Sequence, residues 1–215
     1  MTFDLQIDQH EVAATLWISH NVAQLRLDAE GSRQLSLWLG SCAAKCKDMG
    51  LADDVVAGIT SLTFSGLNEG SKNGIVTNLQ RFSLDCVPEP QIHCIRVGYW
   101  PDYGDTPWVC DALGVDFETL VALHSKNDYY VACIGFLPGF VYLGGGNTEL
   151  QLPRKNIPSP RVDKGAVAIA DSYTGIYPMV CPGGWHVIGH TKETVSQIDT
   201  QWKVGDLIRI EVIDS

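Results

Sequence analysis

The sequence predicts an α+β chain of two parts, a ferredoxin-like N-terminal domain followed by a small, mostly β barrel. Three observations carry this. Up to about residue 99 the apolar patterns run strand, helix, two strands, helix, strand, which is the order of the split β-α-β, ferredoxin-like arrangement. From Tyr129 to Thr191 glycine, proline and aromatic residues concentrate while charges are few. Proline removes a backbone donor and glycine gives up backbone entropy, so that stretch makes short strands and tight turns rather than helix. Near the end, Leu207 to Ile213 alternates, with Ile208, Ile210 and Val212 on one face, as a strand does.

In order, Glu11 to Ser19 is apolar enough for a strand. Gly31 to Met49 carries Leu35, Leu37, Trp38, Leu39, Cys42 and Cys46 in a helical pattern, and Gly50 is a natural stop. Two β-rich runs within Leu51 to Phe64 flank Gly58 and read as a hairpin or a bulged pair. A second helix is expected from about Ser71 to Phe82, with Ile75, Leu79 and Phe82 on one face, and Ile92 to Tyr99 closes the half as a strand. Val87-Pro88-Glu89-Pro90 and Pro101 to Pro107 both suit a domain joint; we divide at the first, giving residues 1–90 and 91–215. Asp116 to Ser125 then reads as a short helix capped by Asp116, with Leu120, Leu123 and His124 sharing a side.

With 45% hydrophobic and 19% charged residues, the chain has the profile of a folded protein. A net charge of -10 repels a phosphate backbone, so nucleic acid is not an expected partner. The seven cysteines include no CxxC pair and fit free thiols in a reducing cytoplasm. The first residues, MTFDLQIDQHEV, lack a basic region followed by an apolar core, so no secretory signal is expected. Tyr129 to Thr148 is uncharged for twenty residues, but Pro138 and five glycines argue against a membrane span.

Several phrases occur together in a fixed order: Leu123-His124-Ser125, IGFLPGFVYL (Ile134 to Leu143), LPR (Leu152 to Arg154) and Pro160-Arg161. They continue with GAVAIA (Gly165 to Ala170), TGIYP (Thr174 to Pro178), PGGWHVIGHT (Pro182 to Thr191) and Gly205-Asp206. This set resembles the allophanate hydrolase subunit 1 family, also called the kinase-inhibitor (KipI) family, whose bacterial members include the B-type subunit of ATP-dependent 5-oxoprolinase. The resemblance implies that the barrel is cyclophilin-like. It also implies a complex with a subunit 2-like carboxyltransferase homologue and, for the oxoprolinase members, a lactam-utilisation subunit. The sequence departs from the family where a glycine-rich YGG turn and PDL become YWPDYGDTPW, keeping Asp105, and where VPAGSV becomes Val162 to Val167.

Within this stretch, Pro182, Gly183, Gly184 and Trp185 make a turn whose backbone N–H groups suit an oxyanion or carboxylate, or simply pack under Trp185. Arg154 and Arg161 flank a proline-rich loop, and their planar forks suit a carboxylate or phosphate, or else salt bridges. His186 and His190 are four apart; on a strand they share a face yet stand roughly 13 Å apart, so no metal site is expected. His190 is a candidate proton donor or anion ligand, with a structural role as the alternative. Phe136, Pro138, Gly139, Phe140 and Tyr142, joined by Tyr177, read as core packing or as the wall of a pocket or partner surface. Cys181 lacks an identifiable activating base and reads as an inert thiol.

These expectations converge on an enzyme subunit acting on a small cyclic amide or ureido substrate, by resemblance the opening of 5-oxoproline to glutamate with ATP. The chain has no GxxxxGK[ST] loop, so it binds no cofactor of its own in this reading and the nucleotide sits on a partner. The alternatives are a regulatory module that inhibits a sensor histidine kinase, and half of a biotin-dependent carboxyltransferase acting on urea derivatives.

Overall fold

A computed structural model describes residues 1–7, 10–67, 69–82, 89–193 and 202–213. Cys86 and the Val87-Pro88 half of the expected joint lie outside the described residues. The chain forms two compact units, Met1–Glu89 and Pro90–Ser215.

The first unit runs β1 (Thr2–Ile7), β2 (His10–Ser19), β3 (Val22–Leu27), α1 (Arg33–Asp48), β4 (Asp54–Ala57), β5 (Ser61–Ser65) and α2 (Glu69–Leu79). Its strands form one antiparallel sheet in the order β1-β2-β3-β5-β4. Strand β3 alternates exposed and buried residues along its whole length, and its inward Ala23, Leu25 and Leu27 pack with Trp38 and Leu39 of α1 and with Ile75 and Leu79 of α2. The Ser32 hydroxyl accepts from the Leu35 N–H and starts α1. Since β5 lies antiparallel between β3 and β4, those two are parallel to each other and α1 crosses between them, which is a split β-α-β.

The ferredoxin-like expectation needs correcting at its last strand. Ile92–Gly98 (β6) is not part of this sheet; it pairs in parallel with the last strand of the chain over seven residues, and the place beside β3 is filled by β2 from the N-terminal hairpin. An apolar alternation announces a strand without saying which sheet it joins, and Ile95 and Val97 are buried in the core of the second unit.

That unit continues with α3 (Thr106–Leu113), α4 (Phe117–Ser125), β7 (Asp128–Ile134), β8 (Val141–Gly144), β9 (Ser159–Val162), β10 (Ala166–Ala170), β11 (Tyr173–Ile176), β12 (Cys181–Gly183), β13 (His186–His190) and β14 (Leu207–Ile213). Seven strands close into a barrel, β10-β11-β8-β7-β14-β6-β13, and β9 with β12 forms a separate two-stranded ribbon. All five residues of β10 are buried because both of its faces are covered. Val167 and Ile169 face the interior with Val131, Leu143, Ile188 and Ile208. Ala166, Ala168 and Ala170 face the other way, against Phe140, Val162, Tyr177 and Trp185. Alanine on that outer face lets a second layer lie close. The expected row on β14 is cut short, since Ile208 and Ile210 are buried while Val212 is 48% exposed at the strand's end.

Asp116 caps α4 by accepting from the Thr119 N–H at 2.8 Å. The helix carries the fully buried His124 into the core, where its Nδ1 lies 2.7 Å from the Tyr99 hydroxyl and its Nε2 3.0 Å from the Thr174 hydroxyl. Among the described residues no helix is long and apolar enough to cross a membrane, and the uncharged stretch from Tyr129 is spent on β7, β8 and the turn between them.

Candidate functional site

The outer aromatic layer is built by the β7–β8 turn and the β11–β12 connection. Leu137-Pro138-Gly139-Phe140 is a tight turn with the Phe140 N–H donating to the Leu137 carbonyl at 2.9 Å; proline presets the second position and Gly139, at φ 81°, takes the third. Pro138 and Gly139 thus shape the turn that delivers Phe140. The Phe140 ring meets Tyr142, Tyr177 and Trp185 edge to face at 4.9, 5.2 and 5.8 Å between centroids. Gly175 sits beneath them because a Cβ there would lie 2.7 Å from Phe140 and 2.8 Å from Trp185.

Arg154 rests on this layer, its guanidinium carbon 5.8 Å from the Trp185 ring, with Nε 3.4 Å from the Asp171 carboxylate. It remains 61% exposed, so most of its fork faces solvent. Burial pushes the Tyr177 hydroxyl up to about 12 and raises that of Tyr142, so both phenols stay protonated at neutral pH. The Gly183 position is packed rather than open: a Cβ there would meet the Tyr177 hydroxyl at 2.2 Å. Gly184 has room, and its carbonyl accepts from the Lys155 N–H at 2.8 Å, while Pro182 is exposed.

Arg154, Phe140, Tyr142, Tyr177, Gly183, Gly184 and Trp185 therefore come together, with Phe136 joined through its 5.4 Å contact with Phe140. Arg161 and His190 belong to other surroundings. The Arg161 guanidinium pairs with Asp163 at 3.1 Å and is 69% exposed. His190 Nε2 lies 2.9 Å from the Lys164 carbonyl, and since a carbonyl only accepts, that nitrogen carries a proton and donates it there.

The expectation that His186 and His190 share a face is overturned by a β-bulge. Val187 pairs with Ala168 and Gly189 with Val167, so one residue of β13 is extra and the alternation shifts. His186 consequently lies opposite Ile169 on the interior side, and His190 opposite Ala166 on the outer side. Among the described residues no group of three metal-binding side chains forms. Burial also raises the Cys181 thiol above its ordinary value, as befits an inert thiol.

A polar cluster that sequence patterns do not announce lies where the barrel ladder frays. Strand β13 meets β6 only at His190 and Gly98, and Asp105 closes the remaining edge. Its backbone N–H donates to the Val187 carbonyl and its carboxylate accepts from the Val187 N–H, both at 2.7 Å. Gly104 at φ 57° allows this approach, since a Cβ would stand 2.7 Å from that carbonyl. The same Asp105 oxygen lies 2.6 Å from Lys155 Nζ, which also donates to the Ser159 hydroxyl at 2.9 Å. Three residues on, Trp108 stacks on His186 at 4.4 Å and 8°.

Comparisons place this architecture among known proteins. The family described as "Carboxyltransferase domain, subdomain C and D" matches residues 14–203. The chain is 35% identical over 124 residues to the B-type subunit of 5-oxoprolinase from Bacillus subtilis, covering 57% of this chain and 52% of that protein. It is 35% identical over 154 residues to the B-type subunit of 5-oxoprolinase from Escherichia coli, covering 69% and 71%. A solved structure of TTHA0988 superposes with a TM-score of 0.76 at 29% identity, covering 91% of this chain and 40% of that one. The chain thus spans about half of the Bacillus relative and less than half of that solved chain.

Proposed function

Because the chain belongs to the carboxyltransferase family of subdomains C and D, we propose that it is the B-type subunit of an ATP-dependent 5-oxoprolinase, opening 5-oxoproline to glutamate within a complex. The observation that carries this reading is the 35% identity to the Escherichia coli B-type 5-oxoprolinase subunit over 71% of that protein. In this reading ATP binds a partner, since the chain has no Walker loop, and phosphorylation there makes the unreactive lactam carbonyl attackable. Arg154 receives the substrate carboxylate, pinned over Trp185 with its fork toward solvent. A subunit 2-like chain covers the layer and a lactam-utilisation subunit completes the enzyme.

Exposed apolar residues on the loops around this layer support a covering partner: Phe136 is 66% exposed, Ile157 84%, Met179 44% and Val180 46%. Phe136 also holds a left-handed backbone at φ 75°, a strained setting for an aromatic residue. Phe136→Gly is expected to leave stability within about 1 kcal/mol, because relief of that strain offsets the lost ring contact. The same change should weaken assembly with the subunit 2-like chain at least tenfold, read by titration calorimetry; unchanged assembly would remove Phe136 from the docking surface. The function itself is tested by incubating 5-oxoproline and ATP with all three subunits. Glutamate and ADP should appear together, and omitting this chain should stop both; undiminished release without it would refute the reading.

A further inference from the structure

We infer that Lys155 and His186 form a lactam-reading pair in which Lys155 Nζ donates to the ring carbonyl and His186 Nδ1 accepts from the ring N–H, with Trp108 stacked on the imidazole to hold its plane. This deepens the oxoprolinase reading and rests on it for the identity of the substrate.

The two arginines expected to serve here are 61% and 69% exposed and tied to exposed carboxylates, whereas the Lys155 side chain is only 15% exposed and set by three attachments. Its backbone N–H is fastened to the Gly184 carbonyl, and its ammonium to Asp105 and Ser159. An ammonium has three N–H donors, so one is left without a partner among the described residues.

His186 supplies the complementary group. The residue is 4% exposed, and its Nε2 lies 2.9 Å from the Pro153 carbonyl, which can only accept, so Nε2 holds the proton. In the neutral ring this leaves Nδ1 as a bare acceptor, and it is buried with no hydrogen-bond partner among the described residues. Leaving a buried acceptor unpaired is costly, and such an atom calls for an explanation. Both groups are held by the same two stretches: Asp105 and Trp108 come from the start of α3, and Pro153 and Lys155 from the proline-rich loop. One donor and one acceptor left over match the carbonyl and N–H that a cyclic amide, locked cis, presents on one side. Trp108, 51% exposed, lies flat over the imidazole and fixes the plane of the ring, so a ligand meets Nδ1 along the ring edge, where its lone pair points.

The test compares His186→Gln, His186→Asn and Lys155→Met in the assembled complex. Glutamine places its amide nitrogen where Nε2 sits, keeping the bond to Pro153 while removing the Nδ1 acceptor; asparagine does the reverse. Expected are at least a tenfold rise in KM for 5-oxoproline in His186→Gln and Lys155→Met, with the melting temperature of His186→Gln unchanged. N-methyl-5-oxoproline, which has no N–H to give, should bind the wild-type complex at least tenfold more weakly than 5-oxoproline, a comparison that needs no variant to fold. A wild-type complex that turns over 5-oxoproline while His186→Gln and Lys155→Met keep its KM within twofold would overturn the inference and leave the oxoprolinase reading standing. So would a defect confined to His186→Asn, which marks the Pro153 bond as the only role of the ring. A wild-type complex without turnover that binds pyrrolidin-2-one through both residues would instead remove the oxoprolinase reading and leave the site.

Discussion

His124→Ala is expected to destabilise the chain by about 3 to 5 kcal/mol, the largest single-site effect foreseen in this fold. The imidazole fills space inside a closed barrel and partners two hydroxyls, those of Tyr99 and Thr174, while the Tyr129 hydroxyl donates to the His124 backbone carbonyl at 2.7 Å. Alanine leaves a cavity and two buried hydroxyls without their partner. Burial also pushes the His124 imidazole down to about 3, far below its ordinary value, so it is neutral in the folded chain. Between that value and the unfolded value near 6.5 the unfolded chain binds the extra proton, so stability falls as pH drops through this window and is fully present above it. The loss attributable to His124 should reach about 3 kcal/mol at pH 4 relative to pH 7. Urea unfolding at the two pH values checks this: His124→Gln, which does not titrate, should lose less stability on acidification than the wild type by that amount. Equal losses in the two proteins would mean that His124 is not buried neutral.

Asp206→Ala is expected to cost about 3 kcal/mol by the same measurement at pH 7.5. This carboxylate, nearly buried, lies 2.9 Å from His93 Nε2 and accepts from the backbone N–H groups of Gln91 and Lys203 at 3.1 and 2.9 Å. It thus ties the turn that starts β14 to the stretch that starts β6, at the head of the parallel pair those strands form. Removing it strands three donors at once. Asp206→Asn keeps an acceptor oxygen and should be milder; an alanine variant within 0.5 kcal/mol or so of wild type would show the turn to be held by its backbone alone.

Much of this is legible in the sequence, and the limits have physical causes. Helix α1, the Asp116 cap of α4, the Gly58 hairpin and the β character of the second unit all follow from local rules that the fold obeys. Strands β1 and β3 escape such rules although Leu5 and Ile7, or Ala23, Leu25 and Leu27, alternate clearly; the runs are six residues each and carry polar residues between. Helix α3 reads as a joint because it is eight residues long and opens on a proline, which suits a first helical turn as well as a loop. The partner of β6 is beyond local patterns, because pairing with β14 joins residues more than 100 apart.

At the site, the aromatic layer and Arg154 are visible as a glycine-rich phrase and a proline-flanked arginine. The bulge in β13 is not, so simple alternation puts the two histidines on one face. The Asp105–Lys155 pair spans fifty residues of sequence, and only the frayed edge between β13 and β6 explains why a carboxylate is wanted there.

The central claim, that this chain contributes part of a shared catalytic site rather than restraining another protein, is tested most directly by titration. With the subunit 2-like and lactam-utilisation partners held at a fixed concentration, glutamate formation from 5-oxoproline and ATP is measured as this chain is added. A rate near zero at the start, a proportional rise and a plateau at a fixed stoichiometric ratio are expected. A rate already present without this chain, and unchanged or falling as it is added, would contradict the claim.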